Sequence, residues 1–371
     1  MRPPPWPERS PMQSTVPAGA PAILLYCRPG FEGECAREIS GFAAELGIWG
    51  HVRAKPDGGY LSFHPHEEAG ALLLRSKLRF GDLVFPRQVV HRAFRIDSLP
   101  VTDRATPVAD AAAVLGENFS DVWIETADTN EAKELSSFCR RFAGPLNNAL
   151  RDRELLADDP RLPRLHVLFL GSGAAWIGLT NAGNSAPWPM GIPRLKMPRG
   201  APSRSTLKLA EAFLVFLTAE AQAEWLREGL TAVDLGAAPG GWTWQLVHRG
   251  LHVTAVDNGA LDPALLADDR VEHLRADGLT WRPRRPADWL VCDMVEKPSR
   301  IARLVGDWVA EGHCRRAVFN LKLPMKRRYD EVLDCRQAIA DRLDANGIKY
   351  RLRMRQLYHD REEVTGYLET R

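Results

Sequence analysis

The stretch DLGAAPGGW, Asp234–Trp242, decides the fold of the C-terminal half of the chain. It follows the apolar run Leu230–Val233, and a glycine-rich turn after such a run is typical of a strand that leads into a nucleotide-binding loop. Its glycine spacing differs from the dinucleotide fingerprint G-x-G-x-x-G, and Pro239 lacks a backbone N–H that a pyrophosphate would use. The loop therefore favours a nucleoside ligand without a phosphate at this point.

From Ser205 onward, predicted helices and strands alternate, which indicates an α/β fold with a parallel, doubly wound sheet. A charged residue lies at or soon after the end of five predicted strands: Asp234, Asp257, Asp277, Asp293 and Lys322. A single aspartate there is more often a helix cap or a turn former. Because the carboxyl ends of parallel strands share one edge, the five residues are predicted to line one crevice.

The spacing of Asp257 suggests an adenosine. It falls 21 residues after Gly236, where an acid commonly accepts hydrogen bonds from ribose hydroxyls. This spacing fits NAD and S-adenosylmethionine alike, but the loop favours S-adenosylmethionine, which carries a sulfonium and an amino-carboxylate instead of a pyrophosphate. Gly240 and Gly241 would let the backbone approach this ligand, and Asp234 is expected to face its cationic end.

Two lysines stand in unusual places. Lys322 ends a buried strand, and Lys208 lies in the first turn of a helix beginning at Ser205, where a cation opposes the helix dipole. For Lys208 a surface lysine is the plain alternative. Burial and a neighbouring cation would both lower a lysine pKa, so the pair is predicted to supply one neutral amine as a base. Asp293 and Glu363 are candidates to orient it.

Two motifs that the sequence lacks limit which chemical group can accept the methyl. The chain has no Asn-Pro-Pro-Tyr or Asp-Pro-Pro-Tyr sequence of the type that serves exocyclic amines, and Cys292 is not in a Pro-Cys nucleophile motif. Cys292 is therefore interpreted as a core residue. A lysine with two acids suits removal of a proton from a hydroxyl, such as a ribose 2′-hydroxyl.

The rest of the chain is divided by changes in composition and pattern. The predicted parts are a disordered tail at 1–20, small α+β domains at 21–85 and 86–190, a linker at 191–204 within a proline-rich stretch, and the Rossmann-like domain at 205–371. Six dispersed cysteines without a CxxC pair argue against zinc and suggest a reducing, cytoplasmic compartment. No apolar run is long enough to predict a membrane span.

Charge is uneven although the net charge is only +2. Residues 194–208 carry five basic residues and no acid, which would suit a nucleic acid. A second basic pattern has Lys349, Arg351, Arg353 and Arg355 alternating with Tyr350, Leu352 and Met354. On a strand this pattern gives one basic face, which either holds phosphates or belongs to an ordinary amphipathic strand. Trp188 and Trp242 either stack on bases or pack, and packing is favoured.

Four stretches carry a family resemblance: DLGAAPGGW, VCDMVEKP, NLKLPMK and LYHDREEVTGYL. They resemble the RNA ribose 2′-O-methyltransferases that have a Lys-Asp-Lys-Glu tetrad. The longer string NSAPWPMGIPRLKMPRGAPSRSTLKLAEAF is similar to the bacterial enzymes that act on a cytidine of 23S rRNA. The resemblance implies a monomeric enzyme that methylates a cytidine near the peptidyl-transferase region, with a ferredoxin-like domain at 21–85 and a THUMP RNA-binding domain at 86–190.

The resemblance also implies site residues. The tetrad would be Lys208, Asp293, Lys322 and Glu363, with Lys322 as proton acceptor; Glu362 adjoins Glu363 and is an alternative fourth member. The implied S-adenosylmethionine contacts are Ser205, Ala238, Pro239, Gly240, Gly241, Asp257, Asp277 and Asp293. Two other hypotheses remain open: an RNA-binding ribosome-assembly factor with a non-catalytic methyltransferase domain, and an NAD-dependent dehydrogenase.

Overall fold

The computed structural model describes residues 21–370, and these form two compact units. The first contains the described residues up to 32 together with 40–78 and 88–190; the second contains 33–39, 79–87 and 191 onward. The predicted tail at 1–20 lies outside the described residues. Within them, none of the helices is long and apolar enough to cross a membrane.

Residues 21–190 fold into seven strands and five helices, apart from short 3-10 turns. In chain order these are β1 (Ala22–Tyr26), α1 (Glu32–Glu45), β2 (Gly50–Ala54), β3 (Tyr60–Pro65), α2 (Glu68–Lys77), β4 (Gln88–Ile96), α3 (Ala105–Val114), β5 (Val122–Thr126), α4 (Asn130–Lys133), α5 (Ser136–Arg151), β6 (Arg164–Gly171) and β7 (Ala174–Thr180). The strands form one sheet in the order β2-β3-β1-β4-β7-β6-β5. Since β1 pairs with both β3 and β4, the predicted domains at 21–85 and 86–190 share this sheet.

Glycine ends one helix of this unit. Helix α3 ends at Val114, because Gly116 adopts a left-handed φ of 71° and stops it. The helical stretch that follows β5 is divided into α4 and α5. Both α3 and α5 pack on the sheet around Val108, Leu146 and Phe169, which are buried in one hydrophobic core.

The second unit contains the Rossmann-like sheet. Its elements from 205 onward are α6 (Thr206–Phe216), α7 (Ala219–Trp225), β8 (Thr231–Leu235), α8 (Gly241–Val247), β9 (His252–Val256), α9 (Pro263–Leu266), β10 (Val271–Leu274), β11 (Ala287–Cys292), α10 (Pro298–Ala310), β12 (Cys314–Lys322), α11 (Arg328–Asp344), β13 (Tyr350–Arg355) and β14 (Glu363–Thr370). The sheet order is β10-β9-β8-β11-β12-β14-β13. The core beneath it contains Phe213, Leu246 and Trp289.

The parallel sheet predicted from the alternating pattern is confirmed for five strands. From β10 to β12 every neighbouring pair is parallel. The last two strands depart from this, because β14 inserts antiparallel between β12 and β13. Residues 191–204 contain no helix or strand apart from the end of a 3-10 turn at Gly191, but the predicted five-part domain division stays a prediction.

The basic strand β13 does not offer its inner arginines to phosphates. Arg353 donates to the Phe216 carbonyl and lies over the Phe216 and Tyr367 rings, 5.3 and 5.5 Å from their centroids. Arg355 is buried, donates to the carbonyls of Pro86 (2.9 Å) and Phe80, and lies 4.1 Å from the Phe80 ring centroid. A phosphate-binding role is wrong for these two side chains, which are packing residues.

Arg355→Ala should destabilise the second unit. The substitution leaves the Pro86 carbonyl without this donor, removes one of the donors to the Phe80 carbonyl, and removes a positive charge that acts on the buried Glu38 carboxyl. We expect a loss of about 2–3 kcal/mol in the free energy of unfolding. Thermal denaturation measures it, with the exposed Arg351→Ala on the same strand as control. Equal melting temperatures for the two variants would contradict a structural role for Arg355.

Candidate active site

The carboxyl ends of the five parallel strands bring the predicted charged residues to one edge of the sheet. Asp257, Asp293 and Lys322 lie at or directly after the ends of β9, β11 and β12. Asp277 follows β10 after two residues and is exposed. Asp234 differs from the prediction, because β8 continues to Leu235 and Asp234 is a fully buried residue inside the strand.

Four of the predicted residues form a ring of alternating charges. Lys208 Nζ lies 2.5 Å from Glu363 Oε2 and 3.4 Å from Asp293 Oδ2. Lys322 Nζ lies 2.9 Å from Glu363 Oε1 and is also bonded to Asp293 Oδ1. Each carboxylate therefore bridges both ammonium groups. The four side chains are only 15–20% exposed, so each charge depends on its neighbours for compensation.

The register of β14 explains why Glu363, and not Glu362, completes the ring. Glu363 pairs directly with Lys322 across the antiparallel β12–β14 ladder. Successive side chains along an extended chain point in opposite directions. Glu362 accordingly turns away and forms an ion pair of 2.5 Å with Arg328, with more than half of its side chain exposed.

The environment of Lys322 contradicts the expected lowering of its pKa. Burial does lower the pKa, but the negative charges and hydrogen bonds of Asp293 and Glu363 together outweigh it, so the pKa of Lys322 is raised. The amine is therefore an ammonium in the ligand-free protein. Its use as a base requires that something offset the two carboxylates.

The sequence patterns did not predict a buried chain of hydrogen-bonded side chains that supports the ring. Asn320 Nδ2 donates to Asp293 Oδ1 at 2.9 Å and to Glu363 Oε2 at 3.3 Å. The Thr365 hydroxyl lies 2.7 Å from Asn320 Oδ1 and 2.9 Å from Asp360 Oδ2. The i, i+2 spacing of Asn320 and Lys322 could have predicted that Asn320 lies beside the ring, since residues two apart on a strand share a face.

Asp360 at the far end of this chain is fully buried. Burial raises its pKa well above the ordinary value, and the negative charges of Glu363 and Glu211 add to the rise. A neutral Asp360 can donate to the Thr365 hydroxyl, which in turn can donate to Asn320. The chain thereby orients the Asn320 amide toward both carboxylates of the ring.

The glycine loop is braced by Asp257. Its carboxylate accepts from the backbone N–H groups of Ala238 (3.0 Å) and Gly259 (2.7 Å), and Gly240 adopts a left-handed φ of 114°. Each carboxylate oxygen retains a lone pair, so these bonds leave Asp257 able to accept from ribose hydroxyls. Asp277 accepts from the backbone N–H of Leu279 at 2.9 Å, which is a turn-forming role.

The other singled-out residues near the loop are packed. Trp242 is buried and donates its indole N–H to the Ser205 carbonyl at 3.1 Å, which confirms the interpretation of packing. The Ser205 hydroxyl lies 3.0 Å from that of Ser203. Cys292 is fully buried, as predicted for a core thiol, and burial raises its pKa to about 12.

Asp234 lies beneath the loop with one oxygen unused. The Thr243 hydroxyl donates to Oδ2 at 2.6 Å, whereas Oδ1 has no hydrogen-bond partner among the described residues. Burial raises the pKa of Asp234 to about 7, with a further contribution from Asp293. The expectation that Asp234 faces a ligand directly is therefore replaced by a supporting position in the core.

The charged side chains at this edge favour one kind of cofactor. Those that the structure describes are carboxylates and two lysines, and Lys208 and Lys322 already bridge two of the carboxylates. Such a set fits a ligand with ribose hydroxyls and a positive charge, as in S-adenosylmethionine. It fits a pyrophosphate poorly, because a pyrophosphate needs unpaired cations or convergent N–H donors.

Comparisons with known proteins agree with this geometry. Three family models match: an RlmM ferredoxin-like domain at 20–90, the N-terminal model of ribosomal RNA large subunit methyltransferase M at 103–181, and an FtsJ-like methyltransferase at 201–309. A protein of Methylococcus capsulatus named ribosomal RNA large subunit methyltransferase M is 60% identical over 94% of this chain and 98% of its own. A protein of the same name from Aromatoleum aromaticum is 52% identical over 95% and 96%.

The chain belongs to the ribosomal RNA large subunit methyltransferase M family. Membership confirms the Rossmann-like methyltransferase domain, the ferredoxin-like part and the S-adenosylmethionine cofactor predicted from the sequence. The solved structure of TrmN from Thermus thermophilus, at 14% identity, covers 94% of this chain and 99% of its own with a TM-score of 0.31, a likeness too distant to inform the fold.

Asp234→Asn tests the buried carboxyl of this family member. In the wild type, Asp234 holds its proton up to about pH 7 when folded but loses it near pH 4 when unfolded, so it costs stability increasingly between those values. The variant keeps an acceptor for Thr243 without ionising. Its melting temperature relative to wild type should therefore rise from pH 4 to pH 7 and level off above.

Differential scanning fluorimetry at constant ionic strength measures this difference. The matched control is Asp277→Asn, whose side chain is exposed. A difference between Asp234→Asn and wild type that stays constant from pH 4 to pH 8 would show that Asp234 is ionised without penalty.

Proposed function

We propose that this chain transfers the methyl group of S-adenosylmethionine to the ribose 2′-hydroxyl of a cytidine in 23S rRNA. The observation that carries the proposal is the ring of Lys208, Asp293, Lys322 and Glu363 at the cofactor edge of the sheet. The names of the relatives support large-subunit rRNA as the substrate. The resemblance of the tetrad motifs supports the 2′-hydroxyl and the cytidine.

The cofactor supplies a methyl carbon already activated by a sulfonium. The residues proposed to hold it are Ser205, Ala238, Pro239, Gly240, Gly241, Asp257, Asp277 and Asp293. Within this set, Asp257 accepts from the ribose hydroxyls while it braces the loop, and Asp293 faces positive charge. The chain contributes position: an in-line displacement at an activated carbon is accelerated mainly by alignment and by removal of the acceptor's proton.

Lys322 is the proposed proton acceptor. The carboxylates of Asp293 and Glu363 raise its pKa, and a positive charge placed beside Asp293 offsets part of that effect. Exclusion of water around the bound acceptor lowers the pKa further. Lys322 can then release its proton to solvent water and, as a neutral amine, accept the proton of the 2′-hydroxyl as that oxygen takes the methyl group. Lys208 bonds both carboxylates and holds them in place.

The remaining parts of the chain are assigned as follows. Residues 21–85 are the ferredoxin-like domain, 86–190 a THUMP domain that binds RNA, 191–204 a linker and 205–371 the catalytic domain. The protein acts as a monomer in the cytoplasm. The alternative of a non-catalytic assembly factor is disfavoured because all four groups of the ring are present and mutually paired.

Methyl transfer to 23S rRNA from cells that lack the enzyme tests the function. Incubation with S-adenosylmethionine labelled in the methyl group should place the label in alkali-resistant dinucleotides, because a 2′-O-methyl ribose cannot support cleavage of the adjacent phosphodiester bond. Label recovered on a mononucleotide base would contradict the proposal. No transfer, together with no cofactor binding by calorimetry, would favour the assembly factor.

Lys322→Ala belongs in the same experiment. It should still bind S-adenosylmethionine but transfer the methyl group about 10²–10⁴ times more slowly, the usual contribution of a general base. Lys326→Ala, which removes an exposed lysine from the following loop, is the matched control and should retain wild-type turnover.

A further inference from the structure

The first unit has a groove of about 620 Å³ that is lined by strands of its sheet. Strands β2, β3, β4 and β7 contribute side chains to it, among them His51, Arg53, His64, Arg95 and Trp176. The methyltransferase edge described above belongs to the other unit, so the groove is a separate feature of the fold. Aromatic rings and cations are concentrated along this groove.

Stacked rings line part of the groove. His51 and His64 are direct partners across the β2–β3 ladder, and their rings lie 5.1 Å apart with an interplanar angle of 13°. His66 and Trp176 lie close by, at 6.0 Å from His51 and 6.1 Å from His64. Burial, helped by the charges of Arg53 and His51, lowers the pKa of His64 to about 4. His64 is therefore neutral at pH 7 and presents a flat, uncharged surface.

The groove is electrically suited to an anion. Arg53, Lys55 and Arg95 line it, and no acidic side chain does. Two of these cations have exposed partners outside the lining: Arg95 bonds Asp97 at 2.8 Å, and Lys55 lies 3.9 Å from Glu131. Exposed pairs of this kind contribute little and are readily exchanged. Arg53 forms no ion pair among the described residues.

We propose that the groove binds unpaired nucleotides of RNA, with a base on the His51–His64 ring pair and a phosphate at Arg53. The inference rests on the proposed function only for the choice of RNA as the polyanion. Ring stacking selects unpaired bases, because the bases of a duplex have no free face. The groove is thus a second contact with the substrate, on the unit that does not carry the four-residue ring.

Binding of fluorescein-labelled hexacytidylate to the full chain, followed by anisotropy, tests the groove. Arg53→Glu should weaken binding about tenfold, since it replaces a phosphate contact by repulsion. His51→Ala, which removes one ring of the stacked pair, should weaken it about fivefold. The matched control is Arg141→Glu, which makes the same change at an exposed position on α5, outside the groove.

Two outcomes would overturn the proposal. Equal losses for Arg53→Glu and Arg141→Glu would show that only general charge matters. Competition by hexaglutamate as strong as that by unlabelled hexacytidylate would point to an acidic protein partner instead.

Methyl-transfer kinetics separate this proposal from the catalytic one. Groove variants should raise the KM for rRNA while kcat and S-adenosylmethionine affinity stay at wild-type values. Wild-type KM in Arg53→Glu would reject the groove and leave the catalytic proposal standing. If the wild-type chain shows no methyl transfer but Arg53→Glu still weakens hexacytidylate binding, the catalytic proposal is rejected and the groove proposal stands.

Discussion

Four alternating charges, contributed by four separate elements, are the interaction on which the catalytic unit depends. Lys208 comes from α6, Asp293 follows β11, Lys322 ends β12 and Glu363 begins β14. A partly buried charge without a partner is costly, so the ring is stable only when all four elements are in place. The ring depends most on the antiparallel position of β14 beside β12, because this pairing places Glu363 opposite Lys322.

The same contacts that hold Lys322 also oppose its use as a base. Asp293 and Glu363 raise its pKa, and Asn320 fixes both carboxylates from behind. In the mechanism proposed above, Asp293 also contacts the cofactor. Positive charge there would act on Lys322 through Asp293, and this would couple cofactor binding to release of the proton. A ring that is fully paired without the cofactor would keep the amine protonated until the cofactor binds.

The sequence predicted the features that local patterns encode. Alternating helices and strands predicted the parallel sheet, and charged residues at strand ends predicted Asp257, Asp293 and Lys322 at one edge. Other features depend on contacts between distant residues. The insertion of β14, the hydrogen bond of Thr365 to Asn320 and the burial of Arg355 against residues 80 and 86 have no local signature. The predicted lowering of the Lys322 pKa was wrong for the same reason. The direction of the shift depends on how closely the carboxylates of Asp293 and Glu363 approach the amine.

The pH dependence of methyl transfer by Glu363→Gln tests most directly whether the carboxylates hold Lys322 protonated. Single-turnover rates should rise with pH as the amine loses its proton. Glutamine keeps the size and an acceptor of Glu363 but removes a charge that raises the Lys322 pKa, so the midpoint should move to lower pH, although the maximal rate falls. Glu362→Gln, on the exposed neighbour, should leave the midpoint unchanged. A Glu363→Gln midpoint equal to that of the wild type, or at higher pH, would contradict this account.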